Sequence, residues 1–298
     1  MDEMKKTAYV LITSARNEEA YIEKTIRSVI AQTLLPKKWI IVSDGSIDRT
    51  DEIVQRYEAK YDFIRLLHKE SDSNWNYASK VYAIRAGLVL LNNVEYDFIG
   101  NLDADISFEP NYFELILAKF REYPGLGLAG GTIHELTNGV FKARLGNTIR
   151  SVPGALQLFR RQCFEEIGGY VPLKTGGIDV LAQTMVRMHG WQVRSFLDIP
   201  ALHHRRTGWS KENIFKASLR LGVMDYHLGM HPLYSLFKSL RRLCDRPYIL
   251  KGVLRMTGFT LEYIKGRKRQ MPNEVVDFVR REQVKRIWSL FLMKKEDY

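Results

Sequence analysis

Cysteine is scarce in this chain. Only Cys163 and Cys244 occur in 298 residues, far apart and without metal-ligand spacing. That excludes a disulfide scaffold and a cysteine-ligated metal module, and the expectation is two reduced thiols in a cytosolic protein. Internal repeats and low-complexity linkers are also missing, which leaves ordinary globular architecture. Met1 to Lys6 offers no apolar signal region, so a cytoplasmic location is expected. An uninterrupted membrane-length run is missing too. The apolar stretch Pro247 to Ile264 is broken by Lys251, Arg255 and Glu262, a poor span. Finally, Ser14 to Glu19 contains no glycine. A nucleotidyltransferase usually carries a Gly-rich, basic phosphate loop after its first strand, and this acidic segment argues against one.

What is present is a set of short strand–helix units. Tyr9 to Thr13 reads as a buried strand, followed by a helix with apolar positions at Ile22, Ile26, Val29 and Ile30. Trp39 to Val42 is a second strand, and Asp48 is placed to cap the helix carrying Ile53, Val54 and Tyr57. Phe63 to Leu67 is a third strand, and a helix over about Tyr77 to Leu91 leads to a fourth. Alternation in such short units predicts an α/β fold with a mostly parallel sheet and helices on both faces. The fourth strand, Asp97 to Leu102, runs straight into Asp103-Ala104-Asp105. Strand side chains alternate, so both carboxylates share a face if strand geometry continues. Such a pair at a strand end suits Mg²⁺ or Mn²⁺ holding a diphosphate. Ligands of parallel sheets bind beyond the carboxyl ends of the strands, where Asn17, Asp44, Asp103 and Asp105 would gather.

On these residues the chain resembles the family-2 glycosyltransferases, which have the GT-A fold, a Rossmann-like sheet. Ala15-Arg16-Asn17-Glu18-Glu19 looks like the family's strand-end Asn-Glu. Ser43-Asp44-Gly45-Ser46-Ile47-Asp48-Arg49-Thr50 looks like its Asp-Asp-Gly-Ser-x-Asp-x-Thr, with Ser43 in place of the first Asp. Leu102-Asp103-Ala104-Asp105 looks like its metal motif. Pro153-Gly154-Ala155, Leu158 to Arg161 and Ile167 to Tyr170 look like its acceptor-side segment. The resemblance covers roughly residues 7 to 210.

The resemblance implies an inverting transfer from a nucleotide-diphosphate sugar to a hydroxyl of a glycan or lipid-linked acceptor in surface-polysaccharide synthesis. The leaving diphosphate needs charge stabilisation, and the acceptor hydroxyl needs a general base. Asp105 is the first choice for metal ligand; Asp103 reaches the ribose, or the metal through water. By resemblance Asp44 contacts the nucleobase or ribose, Ala15 and Asn17 line the same pocket, and Lys80 stands near a basic position facing the nucleotide. Lys80 has a solvated helix surface as its other reading. Asp179 matches the family's base, although Ile178 replaces the Glu that usually precedes it. Asp179 could instead cap its helix. His203 and His204 are candidates for a third metal ligand, with His203 preferred, and Arg205 and Arg206 for a diphosphate clamp.

Charge divides the chain. From His203 to Tyr298 there are 21 Lys and Arg against 9 Asp and Glu, and 24 against 25 in the remainder. Basic surface can meet nucleic acid, anionic lipid or a diphosphate-bearing acceptor. Pro247 to Ile264, followed by Lys265-Gly266-Arg267-Lys268-Arg269, reads as an interfacial amphipathic helix at an anionic membrane surface. A helical subdomain with a solvated basic face is the other reading. The tail carries no known nucleic-acid-binding module, so nucleic acid is not an expected partner. The expected division is a catalytic domain over 1–209, with a nucleotide-sugar half at about 1–106 and an acceptor half at about 107–209. A basic amphipathic helical extension covers 210–298. The competing functions are a nucleotidyltransferase making an activated sugar and, further off, a basic nucleic-acid-binding protein. Oligomeric state is open.

Overall fold

The computed structural model describes residues 7–70, 76–137, 139–144, 147–205, 213–241 and 249–291. The chain divides into two compact units, Met1–Pro172 with Ile178–Gly208, and Leu173–Gly177 with Trp209–Tyr298.

The first unit is built on a sheet of nine strands among the described residues: β1 (Tyr9–Ala15), β2 (Lys38–Asp44), β3 (Ile64–Lys69), β4 (Phe98–Leu102), β5 (Ile106–Phe108), β6 (Leu126–Thr137), β7 (Val140–Ala143), β8 (Leu156–Arg160) and β9 (Gln192–His203). The order is β3-β2-β1-β4-β8-β6-β9-β5, with β7 on β6. Strands β3, β2, β1 and β4 are parallel; β8 joins β4 antiparallel, and β6 pairs β9 in parallel. The expected parallel sheet is therefore the first half, and the second half is mixed. Helices α1 (Ile22–Ile30), α2 (Thr50–Glu58) and α4 (Tyr112–Glu122) pack one face; α3 (Ala78–Val89), α5 (Arg161–Glu166) and α6 (Ile178–Met188) pack the other. Because both faces are covered, strands such as β1 are apolar at successive positions rather than alternating. Tyr9 and Leu11 face one core, Val10 and Ile12 the other.

Strand order reverses at β1, which pairs β2 on one side and β4 on the other. Ligands of such sheets bind in the crevice beyond the carboxyl ends of the strands at such a reversal.

The second unit is helical: α7 (Ile214–His227), α8 (Pro232–Arg241), α9 (Leu250–Ile264) and α10 (Asn273–Phe291). Pro247 and Tyr248, the start of the expected interfacial helix, lie outside the described residues. Helices α7 and α9 cross at glycines. A Cβ on Gly222 would stand 1.9 Å from the Arg255 carbonyl, and one on Gly258 2.2 Å from that of Leu219. Inside this unit Asp225 is fully buried, takes a bidentate Arg255 (Nε–Oδ2 2.6 Å, Nη2–Oδ1 2.9 Å), and adds Lys238 at 3.1 Å. Among the described residues no helix is long and apolar enough to cross a membrane.

Candidate functional site

The loops after β1 and β2 are fastened together by their polar residues. Asn17 adopts φ +55°, a left-handed conformation that asparagine tolerates. Its Oδ1 accepts from the Ile47 amide at 2.9 Å, while its own amide donates to Ser46 Oγ at 3.2 Å. Thr50 Oγ1 accepts from the Glu18 amide at 2.7 Å, and Asp48 Oδ2 accepts from the Glu19 amide at 3.1 Å. Asp48 also accepts from the Thr50 amide and hydroxyl, satisfying the start of α2 from one residue before the N-cap position. Burial would raise this carboxyl, yet these donors outweigh it and hold it low. The Ser-x-Asp-x-Thr pattern is thus a clasp between two loops.

Asp44, at the end of β2, is buried and receives Lys69 Nζ at 2.6 Å. Lys69 ends β3 directly across from it in register. Ser43 is equally buried and shares a hydrogen bond with Ser46 at 3.0 Å. Ala15 has no accessible surface and packs in the core beneath the edge.

The two aspartates do not share a face by strand alternation. Strand β4 stops at Leu102, and Asp103-Ala104-Asp105 turns into β5. Asp103 is held by its amide on the Ala155 carbonyl (2.8 Å), and its carboxylate receives Lys80 from α3. Asp105 is almost buried. Its Oδ2 lies 3.2 Å from His203 Nε2 and 3.3 Å from Arg205 Nε. Antiparallel pairing of β5 with β9 sets Ile106 opposite His203, which brings that imidazole to Asp105. The two carboxyls are driven apart in acidity. Burial raises Asp103 above the usual range despite Lys80, and the Asp105 charge adds to that rise. Burial also works to raise Asp105, but His203, Arg205 and Lys80 prevail and hold it low.

Glu18 is the residue that sequence reading passed over. It caps the same crevice from the β1 loop and pairs with Arg205. Burial lifts its carboxyl to about 7; Arg205 opposes the rise and Asp105 and Asp103 add to it. The signal was there in Asn17-Glu18-Glu19: the first glutamate turns into the crevice, and the second turns outward to Arg49.

Asp179 reaches the same region through a different route. It is the second residue of α6, inside the first turn rather than at the N-cap. Gln183, one turn later, bonds both the amide and the carbonyl of Val152 (2.9 and 3.1 Å), which fixes α6 to the segment Val152–Ala155. Asn101 Nδ2 holds the Gly154 carbonyl at 2.6 Å from the other side. The Asp179 carboxyl lies against Gly154, where an added Cβ would come within 2.7 Å of Oδ2. Buried Tyr170 donates to Gln157 Oε1 at 2.6 Å. Burial raises its phenol far above normal, and the charges of Asp179 and Asp103 push it the same way.

The structure therefore brings Asp103, Asp105, Lys80, His203 and Arg205 to one crevice, and the Asp179 carboxyl, from α6, lies against the loop that also holds Asp103. Asn17 and Asp44 stand at the neighbouring strand ends. His204 turns elsewhere, its Nε2 2.8 Å from Ser107 Oγ and its ring edge-on to Phe141. Arg206 lies outside the described residues.

Among the described residues no group of three or more His, Cys, Asp or Glu is gathered to hold a metal alone. The donor chemistry at Asp105 and His203 still fits a divalent ion that fills its remaining positions with phosphate oxygens and water, as Mg²⁺ usually does. One hard carboxylate and one imidazole at 3.2 Å converge, and Asp103 stands beside them.

Comparison with known proteins agrees with this architecture. The poly-beta-1,6-N-acetyl-D-glucosamine synthase of Staphylococcus aureus (strain COL) is 22% identical over 212 residues, covering 65% of this chain and 48% of the relative. That of Staphylococcus epidermidis is 24% identical over 170 residues, covering 51% and 39%. The chain spans about half the length of the curated relatives it matches. In fold it is similar to S. aureus TarS 1-349 in complex with UDP-GlcNAc (TM-score 0.55, 14% identity, 87% of this chain and 73% of that one). It is also similar to the mannosyltransferase PcManGT from Pyrobaculum calidifontis in complex with GDP-Man and Mn²⁺ (TM-score 0.54, 16% identity, 87% and 74%). The sheet with helices on both faces is the GT-A arrangement of these neighbours. The model of Glycosyl transferase family 2 matches residues 10–177, more than half of the chain, and the chain belongs to that family.

Proposed function

We propose that this chain transfers a sugar, with inversion, from a UDP-sugar to a hydroxyl of a glycan acceptor, and that the acceptor is a lipid-linked intermediate of a surface polysaccharide at the cytoplasmic face of a membrane. The observation that carries the reading is the crevice itself. Asp105 and His203 converge beyond the end of β4, and a second carboxylate, Asp179 of α6, lies against Gly154. The GT-A neighbour complexed with UDP-GlcNAc and the polysaccharide synthases among the relatives support the donor and the product class.

Each residue has a stated role. Asp179 accepts the proton of the attacking hydroxyl, which is a weak nucleophile without a base. Asp44 and Asn17 take the nucleoside at the β1 and β2 ends, and Asp103 takes the ribose. Lys80 and Arg205 place positive charge around the diphosphate. Asp105 and His203 would hold a divalent metal, which would supply charge stabilisation to the leaving diphosphate. The family match supports sugar transfer over the nucleotidyltransferase alternative.

A donor screen tests this reading. Binding raises apparent stability by mass action, about 2.7 kcal/mol at a hundredfold excess over Kd. UDP-GlcNAc, other UDP-sugars and GDP-Man, each with Mn²⁺, are compared by thermal shift. The product's anomeric configuration is then read by NMR. A UDP-sugar should give the largest shift, and the product should be inverted. No shift with any nucleotide sugar, or a retained configuration, contradicts the reading.

A further inference from the structure

The second unit buries Tyr226, Met230, Phe259 and Val276, yet two of its helices also hold an apolar stripe out to water. In α8, Ser235 and Ser239, one turn apart, are buried, and neither hydroxyl has a hydrogen-bond partner among the described residues. Leu233, Leu236 and Leu240 of the same helix, at the spacing of one helical stripe, are 54%, 37% and 48% exposed. Helix α9 repeats the inversion. Leu250, Val253, Leu261 and Ile264 face outward, while Arg255 and Glu262 are buried. An amphipathic helix in water buries its apolar stripe and solvates its polar one. Here the polar stripe is inside, met by the Asp225–Arg255–Lys238 cluster and by helix crossing at Gly222 and Gly258. The sequence placed membrane contact on Pro247 to Ile264 with the cluster Lys265 to Arg269, and gave α8 no role.

Charge says what lies against the outward stripes. Exposed Arg241 ends α8, and exposed Lys265, Arg267 and Lys268 follow α9, so the apolar surface is bordered by cations. Arg269 belongs to the interior instead, stacked on the Tyr226 ring at 4.6 Å. Leucines bordered by Lys and Arg match the boundary between acyl chains and anionic headgroups.

We infer that the outward stripe of α8, together with that of α9, is the surface by which this chain lies on an anionic lipid bilayer. The inference rests on the membrane placement proposed above and names the surface responsible. Two contributions follow: an apolar one that salt does not screen, and an electrostatic one that fades within a Debye length.

Flotation of the full chain with phosphatidylglycerol–phosphatidylcholine vesicles tests it, with hydrogen exchange of residues 232–241 in the wild type as a readout that needs no variant. The wild type should float at low salt and in part at about 0.5 M salt, with α8 protected by vesicles. Leu233→Asn, Leu236→Asn and Leu240→Asn together should weaken the salt-resistant partitioning by about tenfold or more. Lys265→Gln, Arg267→Gln and Lys268→Gln together should remove mainly the salt-sensitive part. Vesicle binding unchanged by the leucine substitutions, with α8 unprotected, overturns the inference while the membrane placement stands. A wild type that ignores vesicles at any salt overturns both. If that wild type is also a dimer that the leucine variant renders monomeric, the α8 face belongs to a second copy of this chain.

Discussion

The two units of this chain solve the burial of charge in opposite ways. In the α/β unit the interior is apolar on both faces of the sheet, and ionised groups gather at the carboxyl ends of strands, where Asp103, Asp105, Lys80 and Arg205 meet. In the helical unit an ion cluster lies inside: Asp225 and Arg255 are buried beside Tyr226, Met230 and Phe259, and leucines of α8 and α9 are exposed. Charge at an edge remains available to a ligand, whereas charge locked in a bidentate buried pair is spent on structure. The same residue types therefore read as a binding site in one unit and as packing in the other.

That contrast can be broken at Asp105. Asp105→Ala removes the carboxylate that His203 and Arg205 share, without touching the apolar core. Turnover should be abolished and metal-dependent nucleotide binding lost, with the fold intact by circular dichroism. Full activity of this variant, or of the wild type in excess EDTA, removes Asp105 from the site.

The complementary change is Arg255→Met. It leaves the fully buried Asp225 with Lys238 alone, and breaking such a pair costs about 3 kcal/mol or more. Hydrogen exchange in α7 and α9 should accelerate accordingly, while exchange in β1 and β4 stays as it was. Equal acceleration in both units would mean that the cluster does not belong to the helical unit alone.

Glu18 gives the smallest effect and sharpens the electrostatics. Its carboxyl sits at about 7 in the fold against 4.5 ordinarily, mainly through burial. Between those values the folded chain holds a proton that the unfolded chain releases. Stability contributed by this group is thus present at low pH and lost as pH rises from about 4.5 to 7, by up to about 3 kcal/mol. In metal-free protein kept in EDTA, Glu18→Gln should flatten the fall in denaturation midpoint across that window. An unchanged slope would mean that Glu18 does not titrate there.

Much of this was legible in the sequence because it depends on local pattern. Buried strands β1 to β4 announce themselves as apolar runs, and the polar residues Asn17, Asp44 and Asp103 stand at their ends. What depends on tertiary pairing was not legible. The turn at Asp103–Asp105 breaks the strand alternation that would have aligned the two carboxylates. Strand β9 extends from Gln192 to His203 because its parallel pairing with β6 runs to that end. Lys69 meets Asp44 only through strand register, and Arg205 meets Glu18 across 187 residues. The inverted exposure of α8 is invisible to periodicity, since an amphipathic pattern says which residues share a face but not which face is inside.

The central claim is that the edge of the α/β unit performs sugar transfer with Asp179 as its base, and Asp179→Asn measures it most directly. The substitution keeps the shape of the group beside Gly154 but cannot accept a proton. Single-turnover transfer and donor affinity are measured on the same protein. The account predicts transfer slower by about a hundredfold or more, in the range of general-base catalysis, with donor affinity nearly unchanged. Loss of donor binding with turnover per bound donor preserved would contradict it.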